Sequence, residues 1–401
     1  MTSESLLVLN AGSSSLKFAL FAPGPPLARI VWGKFDRIGL SNPSMSVASA
    51  SGKPHESPIA AANHCSCMPS LVQIVRENNR EIAAIGHRIV HGGPDHFEPT
   101  EADDKVLDDL HRISPFDPDH MPAALALIEL CRQQFPGARQ IACFDTAFHH
   151  NLPRIARLLP IPRKYEARGV RRYGFHGLSY EYLMGELETV AGKEAAMGCV
   201  VLAHLGNGAS LAAVHQGKCL DTTMAFTPTA GIPMSTRSGD LDPGLVAYFA
   251  HTEGMTTDQF HHMVNAQSGL LGLSETSSDV RDLLAAERTD TRAAEALGVF
   301  CYQTRKAIGA MATVLGGIDT LVFAGGIGEH APDIRARICD GLQFLGLELD
   351  KEWNAANAPV ISQPMSRATI RVIATDEELH IARLVTRSLT QKKRDPTLIP
   401  T

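Results

Sequence analysis

The sequence predicts an α/β protein built as two domains. Apolar, strand-length runs alternate with helical stretches along the chain, which is the pattern of α/β folds. Two strand–turn–strand units of similar shape lie far apart, one from Leu6 to Phe21 and one from Cys199 to Val214, and suggest an internal duplication. The length of 401 residues suits two domains.

The elements follow in order. Leu6 to Leu9 is an apolar run that breaks at Asn10-Ala11-Gly12, and Phe18 to Phe21 resumes it, which predicts strand, tight polar turn, strand. Ser41 to Pro58 is rich in Ser, Pro and Gly and reads as a long loop or an irregular edge hairpin. Ile82 to Val90 predicts a buried strand ending at His91-Gly92-Gly93. Met121 to Phe135 has helical periodicity and stops at Pro136-Gly137. Gln140 to Phe144 is a short buried strand that delivers Asp145. In the second unit Cys199 to Ala203 leads into the turn His204-Leu205-Gly206-Asn207-Gly208, and Leu211 to Val214 follows, so that Gly206 matches Gly12. Thr291 to Leu315 predicts a long helix stopped by Gly316-Gly317. Thr320 to Ala324 is a strand before the turn Gly325-Gly326-Ile327-Gly328, and the basic, Pro-containing tail from Gln391 to Thr401 is expected to fray.

Composition excludes several classes. Lys plus Arg number 37 against 43 Asp plus Glu, a net charge of −6, which argues against a dedicated nucleic-acid binder. No apolar stretch approaches the roughly 18 residues of a membrane span. The opening Met1-Thr2-Ser3-Glu4-Ser5 has no basic region or cleavage signature, so a cytoplasmic protein is expected. Of eight cysteines, most sit in apolar surroundings, as Cys143 and Cys199 do, and read as buried free thiols. His64-Cys65-Ser66-Cys67 has neither the usual metal spacing nor a partner cluster, so its cysteines read as surface thiols.

Three Gly-bearing turns, NAGSSSLK, HLGNGAS and AGGIGEH, each follow a buried strand. Such turns present backbone N–H groups that suit phosphate oxygens, although a single one is as readily a hairpin. Neither a Walker A loop nor GxGxxG is present. Arg88 and Arg237 offer forks for a carboxylate or phosphate; alternatively each holds an internal carboxylate, with Asp240 and Asp242 near enough to Arg237 to serve. Asp145 stands where α/β sites form, or caps a helix. His176 either meets a transferring phosphoryl group or is a hydrogen-bonded core histidine. Glu377 and Glu378 either start a helix or hold magnesium, usually through water.

Together these segments resemble the acetate kinase family, within the sugar kinase/actin/heat-shock ATPase superfamily. LLVLNAGSSSLKF, IGHRIVHGG, FDTAFHHNLP, RRYGFHGLSY, AHLGNGASL, DTTMAFTP, TRSGDLDPG, SDVRDL, AGGIGEHAPDIR and TDEELHIA follow in the family's order. The resemblance implies two RNase H-like (actin-like ATPase) domains flanking a nucleotide cleft. The first would comprise residues 1–150, joined by 384–401; the second would be the nucleotide-binding domain, 151–383. It implies reversible, magnesium-dependent transfer of the ATP γ-phosphoryl to acetate, with manganese as an alternative metal, ADP as the other product, and a homodimer.

Residue by residue, the resemblance puts Asn10 and Glu377 near the metal, and Ser13, Ser15 and Lys17 at nucleotide phosphate. Arg88 binds the acyl carboxylate, and Asp145 is the active-site acid. His176 and Arg237 stabilise the transition state, while the loop His204, Leu205, Gly206, Asn207 and Gly208 contacts phosphates. Asp279, Val280 and Arg281, with Gly326, Ile327, Gly328, Glu329 and His330, line the adenosine side. Val90, Phe116, Phe175 and Pro228 would surround the methyl group. An ionised acetate needs no strong base, so Asp145 is expected to position groups or help the metal.

The chain departs from the family pattern at several points. Leu178 and Tyr180 replace a Thr and a His, Thr229 and Ala230 replace a Leu and a Glu, and His330 replaces an Asn. Phe116 stands where a Leu is usual and would narrow the pocket, unless it rotates away. A propionate or short-chain acyl kinase is therefore the alternative reading. A non-catalytic ATP-binding module of the heat-shock ATPase kind would leave Arg88 and Arg237 without a carboxylate to bind.

Overall fold

The computed structural model describes residues 4–50 and 52–394. Within them the chain forms two units, each around its own sheet. The described residues of Met1–Ala147 and Asp376–Thr401 form the first, and Phe148–Thr375 forms the second. The expected fraying beyond Arg394 falls outside the described residues.

The apolar run of the opening segment becomes β1 (Glu4–Ala11), buried at six consecutive positions. A strand buried at successive positions is covered on both faces, which demands helices on both sides of the sheet. β1 pairs antiparallel with β2 (Leu16–Ala22), which pairs antiparallel with β3 (Ala28–Asp36). The Ser- and Pro-rich stretch forms an edge hairpin of β4 (Ser44–Ser49) and β5 (Gly52–Pro58). Pro54 and Pro58 sit on that outermost strand, where a missing N–H is tolerated. On the other side of β1, β6 (Glu81–Ile89) pairs parallel. β7 (Thr100–Glu101) is the far edge and pairs antiparallel with β8 (Arg139–Phe144), which is itself parallel to β6. The order is β5-β4-β3-β2-β1-β6-β8-β7.

Core side chains cover both faces of this sheet. Leu7, Leu9, Phe18 and Phe35 pack with Leu71 and Val75 of the helix Met68–Glu77. Ile89 and Phe144 pack with Leu107 and Leu110 of the helix Asp104–Ile113 and with Leu125 and Ile128 of the helix Met121–Gln134. The C-terminal helix Glu377–Arg394 lies against β1 and β6. Gly86 permits that approach, because a Cβ there would stand 2.6 Å from Ile381 Cγ2 and 2.8 Å from Val385 Cγ2. Residues 376–383, expected with the second domain, thus belong with the first unit.

The second sheet runs β11-β10-β9-β12-β13. β9 (Cys199–Leu205), β10 (Ala209–His215) and β11 (Lys218–Thr222) form an antiparallel meander. β12 (Thr320–Ala324) and β13 (Thr369–Val372) extend it in parallel from β9. Its pairing pattern matches β3-β2-β1-β6-β8, so the inferred duplication holds at the level of the fold. The helix Thr291–Leu315 is capped by Asp290, whose side chain accepts from Arg292 N, and ends at Gly316 with φ 74°. It packs on β9, β10 and β11.

The AGGIGEH segment differs from expectation. It winds at once into the helix Gly325–His330 rather than forming an open turn. Two thiols differ as well: Cys67 is buried at 1% exposure and Cys199 is half-buried. All eight cysteines are free. No helix among the described residues is long and apolar enough to cross a membrane.

Candidate active site

In each unit the chemistry-bearing residues gather at the carboxyl ends of the parallel strands, where backbone groups leave the ladder and face outward.

In the first unit, β6 carries Arg88 and β8 leads directly into Asp145. Arg88 Nε donates to Asp145 Oδ2 at 3.0 Å, and its Nη2 donates to the same oxygen. Arg88 Nη1 donates to the Ala11 carbonyl at 3.0 Å, just after β1 turns. The internal carboxylate weighed for an arginine is therefore Asp145, and it serves Arg88. Three of five guanidinium N–H groups are engaged by these described partners, which leaves one further N–H on each Nη. Asp145 is fully buried, and its Oδ1 has no hydrogen-bond partner among the described residues.

Burial pushes the Asp145 carboxyl up, against the opposing pull of the Arg88 guanidinium. Burial also works against the Arg88 charge, but Asp145 and Glu377 outweigh it and hold its pKa above the ordinary value. Asn10, 5% exposed, donates through Nδ2 to Glu377 Oε2 at 2.8 Å and Glu378 Oε1 at 2.7 Å. Glu377 and Glu378 thus both start a helix and flank Asn10. The Lys17 side chain reaches solvent, yet carboxylates crowd its ammonium. Partial burial works against that charge, while Glu378 and then Glu377 outweigh it and raise its pKa.

Ser13 is exposed and Ser15 half-buried in the turn that Gly12 N closes on the Ser15 carbonyl at 2.8 Å. Val90 is buried, and the Phe116 ring meets His91 edge-on at 5.4 Å. Asp117, next to Phe116, was not singled out in sequence. It is 3% exposed, and its two oxygens lie 2.9 and 3.1 Å from His120 Nδ1.

In the second unit, His176 ends the YGFH segment and caps the helix Gly177–Ala191 with φ 57°. A non-glycine residue there costs on the order of 1–3 kcal/mol and is found where a site over-determines the backbone. His176 is 8% exposed and its Nδ1 lies 2.9 Å from Ser210 Oγ. Its ring stacks on His204 at 4.3 Å. His204 Nδ1 lies 2.8 Å from Ser179 Oγ, which lies 2.7 Å from Thr375 Oγ1. Tyr180, a departure from the family pattern, uses its hydroxyl on Ser210 Oγ at 2.5 Å, and Leu178 is core. Ser210 was legible only as the residue after HLGNGA; its role as a shared partner needed the fold.

Arg237 Nη1 donates to the Pro228 carbonyl at 2.7 Å. Asp240 and Asp242 accept instead from the N–H groups of Gly231 and Gly244, both at 2.7–2.8 Å. Gly208 lets the second unit's groups converge: a Cβ there would stand 2.7 Å from Arg237 Nη2 and 3.0 Å from His176 Nε2. Phe175 is buried, and its carbonyl lies 2.9 Å from His149 Nε2.

The expected adenosine-side residues are less uniform. Glu329 Oε1 accepts from Gly325 N at 2.9 Å and Thr375 N at 3.1 Å, so this carboxylate ties the ends of β12 and β13. Gly325 has φ 76°, and a Cβ there would stand 2.7 Å from the Leu205 carbonyl. Asp279 caps the helix Val280–Ala286 and pairs with the highly exposed Arg281 at 2.6 Å. Gly326, Ile327, Gly328 and His330 lie on the short helix after β12. Of the residues expected around a methyl group, Val90 and Phe116 belong to the first unit, and Phe175 and Pro228 belong to the second.

Known proteins share the sequence and the fold of this chain. The profile of the Acetokinase family matches residues 5–383. An acetate kinase of Rhodopseudomonas palustris (strain TIE-1) is 43% identical over 394 residues, covering 96% of this chain and 98% of its own. A propionate kinase of Escherichia fergusonii is 40% identical over 391 residues, covering 96% of each. Among solved structures, the acetate kinase of Porphyromonas gingivalis superposes with a TM-score of 0.86 at 33% identity, covering 96% of this chain and all of its own. A propionate kinase of Francisella tularensis superposes with a TM-score of 0.89 at 34% identity, covering 96% and 99%. Matched along nearly its whole length in sequence and in fold, the chain belongs to the acetokinase family.

Proposed function

We propose that the enzyme is an acetate kinase that transfers the γ-phosphoryl of ATP to acetate by direct in-line displacement, giving acetyl phosphate and ADP. The observation that carries this reading is the Arg88 guanidinium, fixed by Asp145 and the Ala11 carbonyl with N–H groups left for an acid. A fixed fork binds a carboxylate bidentately and holds one oxygen for attack. Two anions must meet in this reaction, and cationic groups around the transferring phosphoryl supply the neutralisation. Arg237 and His176 take that role, with Ser210 orienting His176. Asp145 sets the Arg88 plane rather than removing a proton, because acetate is already ionised at neutral pH.

The turn His204 to Gly208 and the loop Ser13, Ser15 and Lys17 hold phosphates; Asp279–Arg281 and Gly326–His330 serve the adenosine side. Magnesium prefers a few protein oxygens, completed by water and phosphate. Asn10, Glu377 and Glu378 bring such oxygens together, and the buried Asp145 Oδ1 has no hydrogen-bond partner among the described residues. Asn10 and Glu377 would hold the ion, which would neutralise phosphate charge; no group of three or more acidic, His or Cys residues forms a closed metal cage among the described residues. The family resemblance supports a cytoplasmic homodimer.

The rival reading, a propionate kinase, has support from the propionate kinases similar to this chain. Phe116 held against His91 favours the shorter acid. Initial rates with Mg-ATP and formate, acetate, propionate or butyrate, trapped with hydroxylamine, test the proposal. Acetate leading in kcat/KM supports it. Propionate or butyrate leading would keep the chemistry and overturn the substrate; no acyl hydroxamate with any acid would overturn the kinase reading.

A further inference from the structure

The His64-Cys65-Ser66-Cys67 cluster plays no part in the chemistry above, yet its geometry is specific. Asn63 caps a short 3-10 turn, its side chain accepting from Ser66 N at 3.0 Å while Ser66 Oγ accepts from Asn63 N at 3.1 Å. This reciprocal cap fixes the turn and places Cys67 in the core. Its first residue, His64, is 7% exposed and places Nε2 2.8 Å from the Gly12 carbonyl. A carbonyl only accepts, so Nε2 carries the proton and donates.

Gly12 belongs to the turn of the phosphate loop. Three carbonyls of that loop are tied back: Ala11 O to Arg88, Gly12 O to His64, and Ser14 O to Ile38 N at 2.9 Å. A trans peptide is planar, with its C=O and N–H pointing to opposite sides. Holding the Gly12 carbonyl on the His64 side therefore turns the Ser13 N–H the other way, and the Ile38 bond does the same for Ser15 N–H.

We propose that His64 is a positioning residue of the phosphate loop, aiming the Ser13 N–H at a phosphoryl oxygen of the bound substrate. This rests on the acetate kinase reading. The nearby cysteines need no reactivity for it; the cluster is a structural bracket whose working part is the imidazole.

The test is His64→Leu, which keeps the volume and removes the donor, against His64→Gln, which keeps a donor. Both are assayed in the direction of acetyl phosphate synthesis and in the direction of ATP synthesis, with thermal unfolding recorded for each. His64→Leu is expected to lower kcat about tenfold in both directions, with the KM for acetate unchanged within about twofold, and His64→Gln to restore most of the loss. ATP affinity by calorimetry is expected to weaken several-fold in His64→Leu. Wild-type kcat in His64→Leu, equal losses in both variants, or losses that merely follow the folded fraction would overturn the proposal. Were the wild type to form no acyl phosphate, the functional reading would fall, and unchanged ATP affinity in His64→Leu would overturn this inference separately.

Discussion

The two units share one five-strand pattern and use it with opposite electrostatics. At the ends of β1, β6 and β8 stand full charges: Arg88, Asp145, Lys17, Glu377 and Glu378. At the corresponding ends of β9, β12 and β13 stand His204, Ser179, Thr375 and backbone N–H groups tied by Glu329, with Arg237 arriving on a loop. A duplicated scaffold therefore fixes where a site forms and leaves its chemistry to the turns. The first unit holds its arginine by a buried ion pair; the second holds its arginine by a backbone carbonyl. These two ways of fixing a cation should fail differently when broken.

The largest effect is expected from Arg88→Ala. It strands the fully buried Asp145 carboxylate, and removing one partner of a buried pair costs about 3–5 kcal/mol. Denaturant unfolding followed through Trp32, which lies in the first unit, reads this loss, and the KM for acetate should rise as well. A loss below about 1 kcal/mol would show that the pair does not hold the first unit together. Arg237→Ala should invert the pattern. Losing the hydrogen bond to the Pro228 carbonyl costs about 1 kcal/mol of stability, while kcat falls about 10²–10³-fold and the KM for ATP moves far less. A near-normal kcat would remove Arg237 from the transition state.

Acid should affect the units alike, which tests the comparison from the other side. Burial pushes His87 in the first unit and His149 in the second down to about 4. Both titrate near 6.5 when unfolded, so between these values the unfolded chain binds more protons. Stability is then complete above about pH 7 and lost as pH falls from about 6.5 towards 4, by at most about 3 kcal/mol per histidine. Unfolding curves at several pH values, read through Trp32 and separately through Trp353, should show parallel losses; a unit insensitive to pH in that window would place its histidine in a polar setting. The smallest effect is expected from Ser210→Ala, which removes the partner shared by His176 and Tyr180. Losing the bond that orients His176 should lower kcat about fivefold without changing the KM for acetate. A drop as large as that of Arg237→Ala would make the orientation of His176, rather than charge, the dominant contribution.

Much of this was present in the order of residues. Strand-length apolar runs, the matched Gly12 and Gly206 turns, and the helix Thr291–Leu315 stopped by glycine are local, because each rests on periodicity or on a backbone conformation only certain residues adopt. The acetokinase motifs are local in the same sense, and they singled out Arg88, Asp145, His176 and Arg237 as candidates before any contact was known. Other features were not local. That Arg88 takes Asp145 as its partner joins residues 57 positions apart. The bond from His64 to Gly12 spans 52 positions, and those from Asn10 to the two glutamates span 367 and 368. Pairings of this kind depend on strand order and on where the last helix returns, which a missing side chain at Gly86 decides only once Ile381 and Val385 are brought against it. The sequence alone determined the two strand–turn–strand scaffolds, the family and the set of candidate groups, because motif and period are written within a few residues. Tertiary structure alone decided which charges neutralise one another and which carbonyls are held back, because those energies depend on burial and on distance between segments far apart in the chain.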